Sequence, residues 1–163
     1  MGNTCSENFV HDVLFEKLLT LNVNLKPASI MVDFELAVVN SLERVFPDSE
    51  IRGCFFHLSQ NIYRKNTEHG LKQRYPEDSH FALTLRMIPA LAFVPTNDVT
   101  GAFEQLSEIL HPEMRPVADY FEDTYVGSPR RRGRRQPTFA IGMWNMFQRY
   151  EDELPKTNNS VEG

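Results

Sequence analysis

The sequence predicts an α/β unit with a large all-α insertion, predominantly helical overall. Three observations lead there. Two short apolar runs, "ASIMVDF" and "EIRGCFF", alternate with stretches of helical period, the order that favours parallel strands joined by a helical crossover. From His57 to about Leu154 helical patterns recur without a convincing strand. Finally, a sheet of this class usually has about five or six strands, so two strands predict only part of a core.

The elements follow in order. Val10, Val13, Leu14, Leu18 and Leu21 recur near the helical period, which predicts an amphipathic helix over Val10 to Leu21. Pro27 closes the connection, and Ile30, Met31 and Val32 between Pro27 and Asp33 fit a buried strand. The period then changes: Val38, Leu42 and Val45 fall at i, i+4 and i+7, with Pro47 ending the segment. "EIRGCFF" supplies the second strand. Beyond it, "LSQNIYRKNTEHGLKQRY" reads as helix broken at Gly70, and "DSHFALTLRMIPALAF" as helix capped by Asp78 or Ser79. "NDVTGAFEQLSEIL" puts Phe103, Leu106 and Leu110 on one face. "RPVADYFEDTYVG" stops at a C-cap glycine, Gly127. The loop "SPRRRGRRQPT" separates it from "IGMWNMFQRYEDEL". The expected domains are a partial α/β core over 1–56, a helical insertion over 57–154 that includes the arginine-rich loop 128–137, and the start of a final core helix over 155–163.

Composition narrows the function classes. The chain has 163 residues, 41% of them hydrophobic and 24% charged, the balance of a soluble globular domain or a large piece of one. Its net charge of -5 argues against a uniformly basic nucleic-acid binder, although the arginines are unevenly placed. No run of about 18 apolar residues is present to span a bilayer, and "MGNTCSENF" lacks the basic-then-apolar layout of a secretory signal. An intracellular protein without a membrane partner is expected. Gly2 with Ser6 fits the myristoylation pattern, a short pattern that arises readily by chance. Cys5 and Cys54 stand far apart in different surroundings, so reduced thiols are the expectation.

Three features carry chemistry. Asp33 follows an apolar strand and precedes a helix, at the carboxyl end where open α/β sheets place functional groups; an N-cap for that helix is the plainer alternative. "GCFFHLSQ" sets Cys54 and His57 three residues apart at a strand-to-helix junction. A closed zinc site wants about four ligands, so a buried thiol beside a hydrogen-bonded imidazole fits the spacing as well. "RRRGRR" gathers Arg130, Arg131, Arg132, Arg134 and Arg135 in six residues between Pro129 and Pro137. Such a block repels itself unless it meets an anion, and phosphate suits planar, bidentate arginine best. The same composition serves in nuclear import signals, and a merely solvated loop is the plain reading.

Taken together, "IMVDFELAVVNSLERVFPDSEIRGCFFHLSQNIYRKNTEHGLKQRY", "ALAFVP", "RRGRRQPTFAIGMWN" and "LPKTNNSVEG" resemble, in order and spacing, the transposase domain of Mutator-like elements, the MULE domain. The resemblance implies an RNase H-like core, interrupted by a helical insertion, that cuts and joins DNA with three acidic residues and divalent Mg²⁺ or Mn²⁺. The family's "DFE"-like acid falls on Asp33 and its "TNN..EG" acid on Glu162; its "GC.FH" motif falls on Cys54 and His57. Two metal ions about 4 Å apart would then activate the nucleophile and stabilise the leaving oxygen of a phosphoryl displacement. The arginine loop would hold DNA phosphates.

The resemblance also implies a departure. The family's first acid sits on a hairpin sheet ahead of a helix like Val10–Leu21, and "MGNTCSENF" has no such motif; Glu7 is no substitute. The expectation is therefore a transposase fragment lacking the N-terminal strands, cut within its final helix, catalytically incomplete by itself and weak in metal binding. The expected partner is DNA, at transposon ends and in the nucleus; self-association is possible, and no small-molecule substrate is expected. A domesticated, non-catalytic DNA-binding or transcriptional protein and a protein-interaction remnant remain the alternatives.

Overall fold

A computed structural model describes residues 4–151, with side chains from Val10 onward. The chain forms two compact units, Met1–Cys54 and Phe55–Gly163. The described residues are mostly helical, with a single two-stranded sheet.

In the first unit the order is α1 (Thr4–Leu21), β1 (Ser29–Val32), α2 (Leu36–Val45) and β2 (Glu50–Gly53). The strands pair in parallel, Ser29 opposite Glu50 through Val32 opposite Gly53. The ladder is prolonged at both ends by Glu50 N–H donating to the Ala28 carbonyl and Cys54 N–H to that of Val32. α2 buries Ala37, Val39, Ser41 and Leu42 and packs on α1 through the edge-to-face rings of Phe15 and Phe46, 6.3 Å apart. Arg44 pairs with Asp12 across the same contact at 2.9 Å.

The expected first helix is present, but its apolar stripe is not what it buries. Val10, Val13, Leu14, Leu18 and Leu21 are all exposed, Leu21 at 76%. The helix turns Phe15 toward α2, because a ring reaching into the gap beside Phe46 buries more area than the smaller aliphatic side chains. The strands are half-covered: Val32 and Gly53 are buried and Ser29 and Glu50 exposed.

The second unit begins with α3 (Phe55–Glu68), which ends before Gly70 at φ +73°, a left-handed turn that glycine accepts without steric cost. Next come α4 (Arg74–Glu77) and α5 (Ser79–Ala90). Asp78 caps α5, its carboxylate accepting from the Phe81 amide at 3.0 Å. A 3₁₀ turn (Leu91–Phe93) leads to α6 (Val99–Ile109), and α7 (Arg115–Phe121) runs into a π turn (Glu122–Val126) closed by Gly127. α8 (Ile141–Trp144) and α9 (Phe147–Glu151) follow. The helix expected over "IGMWNMFQRYEDEL" breaks at Asn145, whose side chain donates to the Val94 carbonyl at 2.8 Å and accepts from the Phe147 amide at 3.1 Å. Asparagine competes for backbone in this way and so starts a new helix instead of extending the old one.

The core of this unit is aromatic. Phe121, Tyr125 and Trp144 are fully buried, with Phe121 and Trp144 edge-to-face at 5.5 Å. The Trp144 indole N–H donates to the Tyr125 carbonyl at 2.9 Å. Phe103 and Phe139 complete the cluster.

Candidate metal and nucleic-acid site

Asp33 lies at the carboxyl end of β1, one residue past the Val32–Gly53 pair, and is exposed. It does not cap α2. Glu35 holds that position, without a side-chain hydrogen bond. The turn between strand and helix is set by Phe34, whose ring lies on Gly53 of the neighbouring strand. A Cβ there would come within 2.5 Å of the ring, so glycine leaves the room that Phe34 occupies. Phe34 is thereby drawn inward while Asp33 is left facing solvent at the strand end.

Divalent cations such as Mg²⁺ take hard oxygen ligands, several from protein carboxylates. Asp33 offers one carboxylate of this kind, and among the described residues no three His, Cys, Asp or Glu side chains gather where they could hold an ion. The described residues alone therefore do not fit a two-metal site, and no catalytic step is derived through metal. Glu162 lies outside the described residues.

Cys54 and His57 belong to the adjoining ends of the two units. The Cys54 thiol is free and buried, at 1% exposure, and its backbone is fixed by the bond to Val32. His57 lies in the first turn of α3 with its ring edge-on to Phe56 at 5.4 Å, and its Nδ1 is buried without a hydrogen-bond partner. Neither joins a larger ligand cluster among the described residues.

The arginine loop is a tight hairpin. Pro129 and Arg134 form an antiparallel bridge, Arg130 N–H donates to the Gly133 carbonyl at 2.9 Å, and Gly133 takes φ +72°. Its five guanidinium groups divide into two sets. Arg134, only 19% exposed, pairs with Glu104 at 2.6 Å and Glu122 at 2.8 Å and donates to the Gly127 carbonyl at 2.5 Å. Arg135 reaches Asp123 at 3.3 Å. Arg130, Arg131 and Arg132 are exposed at the tip, with no carboxylate on them among the described residues. The expected block of five phosphate-facing arginines thus becomes a tip of three on a base of two. Composition could not separate these roles, because the acids that hold the base come from α6 and the π turn.

With this geometry in place, a likeness to a known protein family falls on the first unit and the start of the second. Residues 3–61 match the MULE transposase domain. The matched segment runs from α1 through both strands into α3, and it holds Asp33, Cys54 and His57. The match covers less than half of the chain. The arginine hairpin lies beyond the matched residues. No curated protein and no solved structure matches the chain.

Sequence patterns did not point to one further set of residues in the second unit. Phe56 and Tyr63, at i and i+7 on α3, are 47% and 40% exposed, and they flank an open groove with Tyr75 and Arg86. Two exposed aromatic side chains on one helical face were the available signal.

Proposed function

We propose that the chain carries part of an RNase H-like, DDE-type transposase core whose substrate is DNA, with Asp33 as one of the metal-binding acids and Glu162 as another. The observation that carries the proposal is the MULE match over residues 3–61, because it contains the parallel strand pair and the exposed Asp33 at its carboxyl end. Asp33 and Glu162 would be among the ligands of Mg²⁺ or Mn²⁺, which would supply activation of the attacking oxygen and stabilisation of the leaving one. This chain's part is to present the Asp33 carboxylate on a turn braced by Phe34 and Gly53. The half-covered strands and the exposed apolar stripe of α1 also support an α/β core that accepts further strands.

DNA would be held at the hairpin tip. Arg130, Arg131 and Arg132 present adjacent guanidinium groups on a braced loop, and phosphate is the anion they suit best. A nuclear location goes with this reading. A non-catalytic DNA-binding role is the second reading, favoured by the same hairpin, because its contacts need neither Asp33 nor metal.

Duplex-DNA affinity measured against salt concentration tests the phosphate contacts. Arg130→Ala/Arg131→Ala/Arg132→Ala is expected to reduce the slope of log affinity against log salt by about 0.9 for each arginine in contact. Arg134→Ala is expected to leave that slope nearly unchanged while loosening the hairpin. An unchanged slope in the triple variant would refute the proposed role of the tip. Loss of DNA binding only in the triple variant, with Asp33→Asn indistinguishable from the parent in every metal-dependent assay, would favour the non-catalytic reading.

A further inference from the structure

We infer that the groove between α3 and α5 binds an unpaired DNA base. The inference rests on the DNA-handling reading above but uses a different surface from the hairpin tip. The groove has a volume of about 430 Å³ and is lined by Phe56, Ser59, Gln60, Tyr63, Tyr75 and Arg86 among others, with no carboxylate in its wall among the described residues. In a chain of net charge -5, a concave surface whose described residues offer aromatic rings, a guanidinium and no acid suits anionic, π-bearing ligands.

The rings are held in place. Tyr63 and Tyr75 meet edge-to-face at 5.5 Å. Arg86 donates through Nε to the Tyr75 hydroxyl at 2.6 Å and lies over the Tyr75 ring at 5.3 Å. With Nε engaged, the terminal nitrogens of this exposed side chain remain available to a phosphate. Ser59 and Gln60 add hydrogen-bonding groups to the wall. Exposed aromatic rings beside a cation form the platform by which proteins hold single strands, one base on each ring, with little sequence preference. A duplex keeps its bases stacked and cannot offer them, so the groove takes DNA whose bases are unpaired, as at an opened end or a flipped position.

The test is fluorescence anisotropy with the full chain and three labelled probes: single-stranded dT20, an abasic oligonucleotide of the same length, and a duplex. The parent protein is expected to bind dT20 at least about fivefold more tightly than the abasic probe, the least that one base stacked on one ring would contribute. Phe56→Ala and Tyr63→Ala should each remove most of that difference, and Tyr63→Trp should retain it. Duplex binding, the readout of the hairpin tip, should stay within about twofold in all three. Both rings are half-exposed, and thermal melts of the variants are expected to show that folding is retained. Equal binding of dT20 and abasic probes by the parent overturns the inference and leaves the hairpin proposal standing. So does a change of oligomeric state in Phe56→Ala or Tyr63→Ala without loss of dT20 affinity, which would make the groove a contact between copies.

Discussion

At the scale of single residues, burial and partner geometry separate side chains that the sequence presents as equals. Tyr125 is fully buried, and its hydroxyl accepts from Asn61 Nδ2 at 3.1 Å. Burial, reinforced by Tyr120, pushes its ionisation far above the ordinary phenol value. The folded state therefore holds this proton more tightly than the unfolded chain. Its contribution to stability is complete below about pH 10, the unfolded value, and is lost as the pH rises above it toward the folded value, at up to about 1.4 kcal/mol per pH unit. Denaturant titrations between pH 9 and 11 should show this loss, and Tyr125→Phe should flatten it while costing about 1 kcal/mol at neutral pH. Asp78 acts on the acid side. The Phe81 amide, then Arg74, hold its carboxyl below the usual range, so its stabilisation is present above the unfolded pKa and lost as pH falls through the lowered one. Asp78→Asn should lose the Arg74 ion pair and make the acid limb of the melting curve less steep.

At the scale of elements, the sequence was most legible where a residue type has one strong local reason for its place. Asp78 at the start of α5, Gly70 after α3 and Gly127 after the π turn are such residues. Gly127 has φ +93°, and a Cβ on it would stand 1.9 Å from the Arg135 carbonyl oxygen. Gly127→Ala should therefore destabilise by more than the 1–3 kcal/mol or so of the backbone conformation alone, read as a lowered denaturation midpoint. The helix from Val10 to Leu21 was legible as an element but not in its buried face. Its aliphatic stripe obeys the helical period, yet the contact is made by Phe15, and nothing local tells a stripe that meets a partner from one that does not. The break at Asn145 was hidden for a related reason, since its anchor, the Val94 carbonyl, is distant in sequence.

At the scale of the whole molecule, the parallel pair and the predominance of helix followed from alternating periods, while the makeup of the second core did not. Phe103, Phe121, Tyr125, Phe139 and Trp144 come from four separate stretches, and only the fold shows that they meet. Trp144→Ala should cost about 3–5 kcal/mol by denaturant unfolding, because it empties the centre of that cluster and removes the hydrogen bond to Tyr125. The candidate site was legible in part. Asp33 stood out by its place after a strand, whereas the split of the arginine hairpin depended on Glu104, Glu122 and Asp123, whose charges nothing in the loop announces.

The proposed metal-binding role of Asp33, at the carboxyl end of the parallel strands, can be tested on the protein itself. Mn²⁺ titration followed by amide NMR tests it most directly, because the paramagnetic ion broadens only the signals near its seat. Early broadening of the Asp33, Phe34 and Cys54 amides is expected, abolished by Asp33→Asn. Broadening that begins elsewhere, or that persists unchanged at those amides in the Asp33→Asn protein, would contradict it.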